Sequence, residues 1–118
     1  MLIASAEQGY RQVLERYPTE ERTLASLGHL LARAGRRDEA LEIARKLHAM
    51  VEQNRRRETF EALVRTGLGE KQEALTLIEQ AWRMRDANVL NLELEVRFLP
   101  LARESRFQAV AQQLRGLR

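Results

Sequence analysis

The sequence predicts an all-α domain built from repeated helical hairpins, and three observations lead to that fold class. The tract GRRDEALEIARKL at residues 35–47 returns as GEKQEALTLIEQA at residues 69–81, so Gly-x-x-x-Glu-Ala-Leu recurs after 34 residues. Apolar residues between the breaks step by three or four positions, as they do on one face of a helix. Only 2 prolines and 6 glycines interrupt the 118 residues, a length that suits a single domain.

The first predicted element is a lone helix in residues 1–18, equivalent to half a hairpin. Ala6, Tyr10 and Val13 continue the register of the recurring tract towards the N-terminus. Pro18 should end this helix, because proline cannot donate the next backbone hydrogen bond.

Residues 19–52 predict the first complete hairpin. Thr19 suits the N-cap of its first helix, and Glu20 and Glu21 follow in the first turn, where the helix dipole favours acidic residues. The core-facing residues expected on the first helix are Leu24, Leu27, Gly28 and Leu31. Those expected on the second helix are Ala40, Leu41, Ala44 and Leu47.

Residues 55–86 predict the second hairpin, whose first helix spans residues 56–67. Ala62 stands where Gly28 stood, and two small residues at that position let neighbouring helices approach closely. Gly35 and Gly69 lie just beyond the first helix of each hairpin, where a left-handed C-cap is expected. The apolar stripe of the last helix is Ala74, Leu75, Ile78 and Ala81.

Residues 87–118 predict a segment that closes the array. Ser105 and Gln108 form a capping-box pattern before a final amphipathic helix with its stripe at Phe107, Val110, Ala111 and Leu114. A stack of hairpins leaves an apolar end that has to be covered. The side chains best suited to cover it are Trp82, Phe98, Leu101 and Phe107.

The 34-residue period resembles the tetratricopeptide repeat. The matching positions are Ala6, Tyr10 and Pro18 in the half repeat, Leu27, Gly28, Gly35, Ala40 and Leu47 in the first hairpin, and Ala62, Gly69, Ala74 and Ala81 in the second. The tail is similar to the segment that closes such arrays in bacterial regulators, through Arg97-Phe98, Pro100-Leu101 and Arg106-Phe107. The resemblance implies a right-handed α-solenoid of about six helices with a C-terminal capping helix, all within one domain of residues 1–118.

The same resemblance implies a partner-binding groove lined by the first helix of each hairpin. Carried over to this chain, the groove residues are Arg22, Ala25, His29, Ala32, Arg33, Arg56, Thr59, Leu63 and Thr66. Their arginines would suit a peptide with acidic side chains or a terminal carboxylate. The lysine–asparagine clamp that some family members use for chaperone tails is not matched. A solvated surface explains the same arginines equally well.

Little in the sequence suggests catalysis, and we expect no enzyme, no cofactor and no metal site. There is no cysteine, and no nucleophile–base arrangement can be argued around His29 and His48, the only histidines. His29 should face the groove and His48 should be a half-buried packing residue. The tract GLGEK at residues 67–71 lacks the strand and the Gly-Lys-Ser/Thr ending of a phosphate loop.

The charge balance is only a weak indication of an acidic partner, and nucleic acid is an unlikely one. Twenty basic residues exceed 17 acidic ones only slightly, and the arginines of NRRRE at residues 54–58 lack interleaved aromatics. The expected function is a protein–protein interaction scaffold, on its own or within a larger signalling or regulatory protein. The alternatives are self-association through the uncapped helix at Met1 to Tyr10 and, third, accessory nucleic-acid binding.

No apolar run reaches the ~18 residues of a membrane span, and MLIASA is too short for a signal-peptide core. We therefore expect a cytoplasmic location without a membrane partner.

Overall fold

The computed structural model describes residues 2–50 and 58–117, and their regular structure is entirely helical. The α-helices are α1 (Leu2–Arg16), α2 (Glu21–Arg33), α3 (Arg37–Met50), α4 (Glu58–Gly67), α5 (Lys71–Arg83) and α6 (Ser105–Arg115). Two 3₁₀ helices, Ala87–Leu94 and Val96–Leu101, connect α5 to α6. The prediction of an all-α chain is therefore confirmed for these residues. The arginine run before α4, which includes Arg56, lies outside them.

Glycine turns separate the helices of both hairpins, α2–α3 and α4–α5. Gly35 and Gly69 have φ angles of 81° and 80°, the left-handed conformation that was predicted for them. After each glycine, a backbone N–H reaches back to the last turn of the helix. Arg36 N donates to Leu31 O at 2.9 Å, and Glu70 N donates to Arg65 O at 2.9 Å. This is the Schellman pattern, which satisfies carbonyls that the helix end would otherwise leave free.

A third helix end has the same backbone pattern but carries an arginine. Arg85 has a φ of 61°, and Asp86 N donates to Ala81 O at 2.9 Å at the end of α5. A side chain in this conformation crowds its own backbone, which is why glycine normally occupies it. The chain then continues into the two 3₁₀ helices.

Small residues allow the hairpins to pack closely, as predicted. Ala40, Ala62 and Ala74 are completely buried. A Cβ atom added to Gly28 would lie 2.7 Å from Val64 Cγ2 and 2.9 Å from Ile43 Cγ2. Since α3 and α4 both approach α2 at this position, a larger residue has no room there.

The C-terminal segment covers the end of the core with the side chains predicted for that role. Phe98, Leu101 and Phe107 are buried, and the rings of Phe98 and Phe107 lie 6.4 Å apart at an interplanar angle of 58°. Trp82 packs against the same core but remains partly exposed. The tail therefore contributes an apolar layer that joins α5 and α6.

Two helix starts differ from the prediction. The N-cap of α2 is Glu20, not Thr19, and its carboxylate accepts hydrogen bonds from Arg22 N at 3.3 Å and Thr23 N at 2.7 Å. The N-cap of α6 is Glu104, and Gln108 donates its side-chain amide to Ala102 O instead of completing a capping box. In the first case, the longer side chain of Glu20 replaces the hydroxyl of Thr19 as the acceptor. In the second case, Gln108 is hydrogen-bonded to the turn that precedes α6.

Helix α1 ends at Arg16, before Pro18 as predicted, but its buried face is shifted. Tyr10 and Leu14 pack against the core, whereas Val13 is 40% exposed. The prediction for Val13 was wrong because α1 packs chiefly against α2, so that only a narrow stripe of its surface is covered.

Candidate partner-binding surface

The candidate surface lies on α2 and α4, which run side by side through the centre of the molecule. We call it the α2/α4 face, defined by Arg22, His29, Arg33, Thr59 and Leu63. Arg22 and Arg33 are exposed, His29 and Ala32 are half-buried, and Ala25 is buried. The residues of α4 are less accessible than a groove requires, because Thr59, Leu63 and Thr66 are each 4% exposed. The contact role of the nine residues stays a prediction, and Arg56 lies outside the described residues.

The second 3₁₀ helix explains why α4 is covered, since it packs directly against that helix. Arg97, at its start, reaches across to α2 and donates from Nη1 to Ser26 Oγ at 3.2 Å. The same guanidinium donates from Nη2 to Glu95 Oε1 at 2.6 Å. The tail therefore crosses the α2/α4 face as well as covering the end of the core, and only part of the face is open to a partner.

A small cleft remains between α2, α4 and the 3₁₀ helices, and we call it the Arg22 cleft. Its volume is about 170 Å³, below the ~300 Å³ of typical small-molecule pockets. Such a space suits a single side chain of a partner. Its lining is Arg22, Thr59, Phe60, Leu63, Asn88, Asn91, Glu95, Arg97 and Phe98.

The sequence reasoning identified three of these lining residues and missed the others. Asn88, Asn91, Glu95 and Arg97 come from the 3₁₀ helices, which have no counterpart in the 34-residue repeat. Phe60 lies under Arg22, whose guanidinium carbon is 6.0 Å from the ring centroid, at the outer limit of a cation–π contact. Helical periodicity carried no signal for any of these residues.

The electrostatics of the α2/α4 face are basic. Arg22 and Arg33 are exposed, and Arg22 interacts with the charge of Glu20, whereas Arg97 is held in an ion pair by Glu95. Burial lowers the pKa of His29, and the charges of Arg97 and Arg33 lower it further. The hydrogen bond from Arg97 also lowers the pKa of Glu95. His29 is thus kept neutral among arginines, and the open charge on this face is positive.

Gly67 sets the distance between α2 and α4 beside His29. A Cβ atom at Gly67 would lie 3.0 Å from His29 Cδ2 and 3.1 Å from Ala32 Cβ. The sequence reasoning considered this glycine only as part of an unconvincing phosphate loop. Its role in the structure is to let the last turns of the two helices touch.

Asp86 fixes the end of the α2/α4 face that lies nearest to the C-terminal segment. Its Oδ2 accepts hydrogen bonds from Thr59 N at 3.2 Å and Thr59 Oγ1 at 2.8 Å. Its Oδ1 accepts from Asn88 N at 3.0 Å and Asn88 Nδ2 at 2.9 Å. This buried carboxylate caps both α4 and the first 3₁₀ helix. The hydroxyl of Thr59, predicted to face a partner, is therefore used within the chain.

A separate chain of ion pairs runs along α3, α4 and α5. Glu61 accepts from His48 Nδ1 at 2.9 Å and from Arg65 Nε at 3.0 Å, and Arg65 continues to Glu70 at 2.8 Å. Glu70 in turn pairs with Arg37 at 3.2 Å. The His48 side chain, predicted to be half-buried, is 51% exposed. These residues neutralise one another and join the two hairpins.

Neither a metal site nor a membrane span is found in the described part of the chain. No group of three or more histidine, cysteine or acidic side chains there could hold a metal ion. No helix there combines the length and the apolar character needed to span a bilayer. Comparisons of the chain with protein-family models, with curated proteins and with solved structures gave no match.

Proposed function

We propose that the chain is a tetratricopeptide-like scaffold that binds an acidic segment of a partner protein on the α2/α4 face. The observation that carries this proposal is the exposure of Arg22, which lines the Arg22 cleft, and of Arg33 on the same helix, with no ion pair to either from a carboxylate of the described residues. By contrast, Arg36, Arg65 and Arg106 are all neutralised by carboxylates. Unpaired guanidinium groups beside a cleft suit carboxylates, to which arginine can donate two hydrogen bonds at once.

We further infer that the hairpins form a right-handed solenoid. Two features support this inference: both hairpins turn at a left-handed glycine, Gly35 or Gly69, and both bury an alanine, Ala40 or Ala74, at the same place in the second helix. Such repetition is typical of repeat proteins that stack similar units. The rotation between successive hairpins in an experimental structure would test the handedness.

The proposed ligand is extended and acidic, with one side chain entering the Arg22 cleft. Asn91 and Arg22 lie at the same cleft, so a bound carboxylate would have both a charge and an amide donor within reach. Arg33 lies further along α2 and would contact a second acidic residue. Recognition of acidic motifs by arginine clusters is a recurrent mode of peptide binding.

Charge reversal tests this proposal. The double variant Arg22→Glu/Arg33→Glu should bind a fluorescein-labelled peptide, such as acetyl-Gly-Asp-Glu-Leu-Asp-Glu-Gly, about tenfold more weakly than the wild type in a polarisation titration. The matched control is Arg45→Glu/Arg103→Glu, which makes the same change in net charge at two exposed arginines outside the face. Equal weakening by both double variants would mean that only net charge matters, and the α2/α4 face would be rejected.

A further inference from the structure

A second cavity lies where α5 ends and the C-terminal segment begins. It encloses about 560 Å³ between the end of α5, the first 3₁₀ helix and the residues after α6. We call it the Trp82 pocket. The apolar side chains that line it are Trp82, Val89, Leu90 and Leu117. Leu90 and Leu117 are 53% and 68% exposed, so apolar surface is open to solvent beside a concave site large enough for a bulky side chain.

Arg85 stands at the rim of this pocket in a backbone conformation that is unfavourable for it. Two other helix ends of the same type use Gly35 and Gly69, whose φ angles are 81° and 80°, whereas Arg85 has a φ of 61°. A glycine at Arg85 would relieve the backbone strain and complete the same hydrogen bonds. Strained residues are concentrated at functional sites, and an observed outlier is a legitimate starting point for a functional hypothesis.

The charge at the rim is also left open. Arg83 and Arg85 are both exposed at the pocket, and the carboxylate that interacts with the charge of Arg83, Glu79, is itself ion-paired with Arg106. Asp86 lines the same pocket, but both of its carboxylate oxygens are engaged by Thr59 and Asn88. Asp86 and Glu79 are thus both engaged by other groups, and the two arginines present cationic groups beside the apolar side chains of the pocket.

We propose that the Trp82 pocket is a second binding site, for a protein segment in which a large apolar side chain is flanked by carboxylates. The apolar side chain would pack on Trp82 and Leu90, and the carboxylates would pair with Arg83 and Arg85. The charge complementarity selects the occupant, because an uncharged apolar segment would leave both guanidinium groups unused. This site is distinct from the α2/α4 face and could receive another part of the same partner.

Trp82 is the only tryptophan in the chain, so its fluorescence reports on this pocket directly. The probe is the peptide acetyl-Ser-Asp-Leu-Phe-Asp-Ser-amide, and its matched controls replace both aspartates by asparagine or the Leu-Phe pair by Ala-Ala. We expect a saturable change in Trp82 emission with the probe and binding about tenfold weaker for each control peptide.

Arg85→Gly is the decisive variant because binding and stability should change in opposite directions. It removes a rim charge but also the backbone strain, so its thermal midpoint should rise while the probe binds about tenfold more weakly. Loss of binding then cannot be attributed to unfolding. Arg103→Gly makes the same replacement in another exposed turn, and it should leave probe binding unchanged, as should the charge-reversed α2/α4 face.

Three results would overturn the proposal. They are the absence of a saturable change with the probe, equal affinity for the aspartate and asparagine peptides, and unchanged probe binding in Arg85→Gly. If the first result is accompanied by a response to sodium octanoate, the pocket binds a small amphiphile and not a protein segment.

Discussion

Gly28 shows how strongly one residue constrains the packing of the helices in this chain. Its position between α3 and α4 leaves no space for a side chain, and the atoms that a Cβ would meet belong to Val64 and Ile43. Both are β-branched residues, whose side chains have little rotational freedom in a helix. The neighbours therefore cannot move aside without shifting the helices themselves.

Gly28→Ala should lower the free energy of unfolding by about 1–3 kcal/mol, because it overpacks the tightest contact of α2. Gly9→Ala is the matched control: its Cβ would meet nothing within 4 Å, so alanine should stabilise α1 by about 0.5–1 kcal/mol through its better helix propensity. Urea denaturation followed by circular dichroism gives both values. A stabilised Gly28→Ala variant would contradict the contact described here.

At the scale of elements, Asp86 links two helices that would otherwise begin independently. One buried carboxylate accepts hydrogen bonds at the start of α4 and at the start of the first 3₁₀ helix. Helix starts leave backbone N–H groups without internal partners, and here a single side chain serves both. The position of the C-terminal segment on α4 therefore depends on this residue.

Asp86→Ala should lower the free energy of unfolding by about 2–4 kcal/mol, since it removes a cap and leaves the buried hydroxyl of Thr59 without its acceptor. Asp38→Ala, in the exposed first turn of α3, removes the only other aspartate and should cost at most about 1 kcal/mol. Comparing the urea midpoints of the two variants at unchanged m value checks the prediction. Equal losses would show that Asp86 has no special role.

The elements differ in how well the sequence predicted them. The turns at Gly35 and Gly69 and the buried alanines of α3 and α5 follow from local spacing, so the recurring tract was sufficient. The caps were less predictable, because Thr19 and Glu20 are both plausible acceptors and only the geometry of the turn selects between them. The 3₁₀ helices gave no periodic signal.

Helical periodicity predicted one part of the candidate site correctly and the other part incorrectly. Arg22 and Arg33 are exposed because they lie on the polar face of α2, which the helical spacing of its apolar residues predicts. Thr59 and Leu63 are buried because a segment about thirty-five residues later packs over α4. Such long-range packing depends on tertiary contacts, which helical spacing within α4 does not encode.

At the scale of the whole molecule, acidification should lower the stability of the fold by protonating groups whose pKa values are lowered in the folded state. Burial and nearby arginines lower the pKa of His29 below its usual 6.5. The folded protein then binds this proton more weakly than the unfolded chain, so stability is lost as the pH falls from the ordinary histidine pKa through the lower pKa of folded His29. Ion pairs and hydrogen bonds lower the pKa of Glu79 and Glu95 below 4.5, and their contribution is lost at still lower pH.

The thermal midpoint should therefore fall in two stages on acidification, the first below the ordinary histidine pKa and the second below that of glutamate. His29→Gln should remove the first stage and keep the second, while the control His48→Gln should keep both. Circular dichroism melting curves across the acid range provide the measurement. If the first stage persists in His29→Gln, it arises from the protonation of another group.

The hydrogen bond between Arg97 and Ser26 joins residues 71 positions apart, whereas each hairpin is closed by contacts between neighbours in the chain. Local contacts form early in folding, because little chain entropy is lost in making them. Docking of the C-terminal segment should thus be the last step of folding and the first to reverse, and its amide hydrogens should exchange before those of α2 and α4. A partner in the Arg22 cleft would lie against Asn91 and Arg97 of this segment, so it would bind only the docked form, and its apparent affinity would include the free energy of docking.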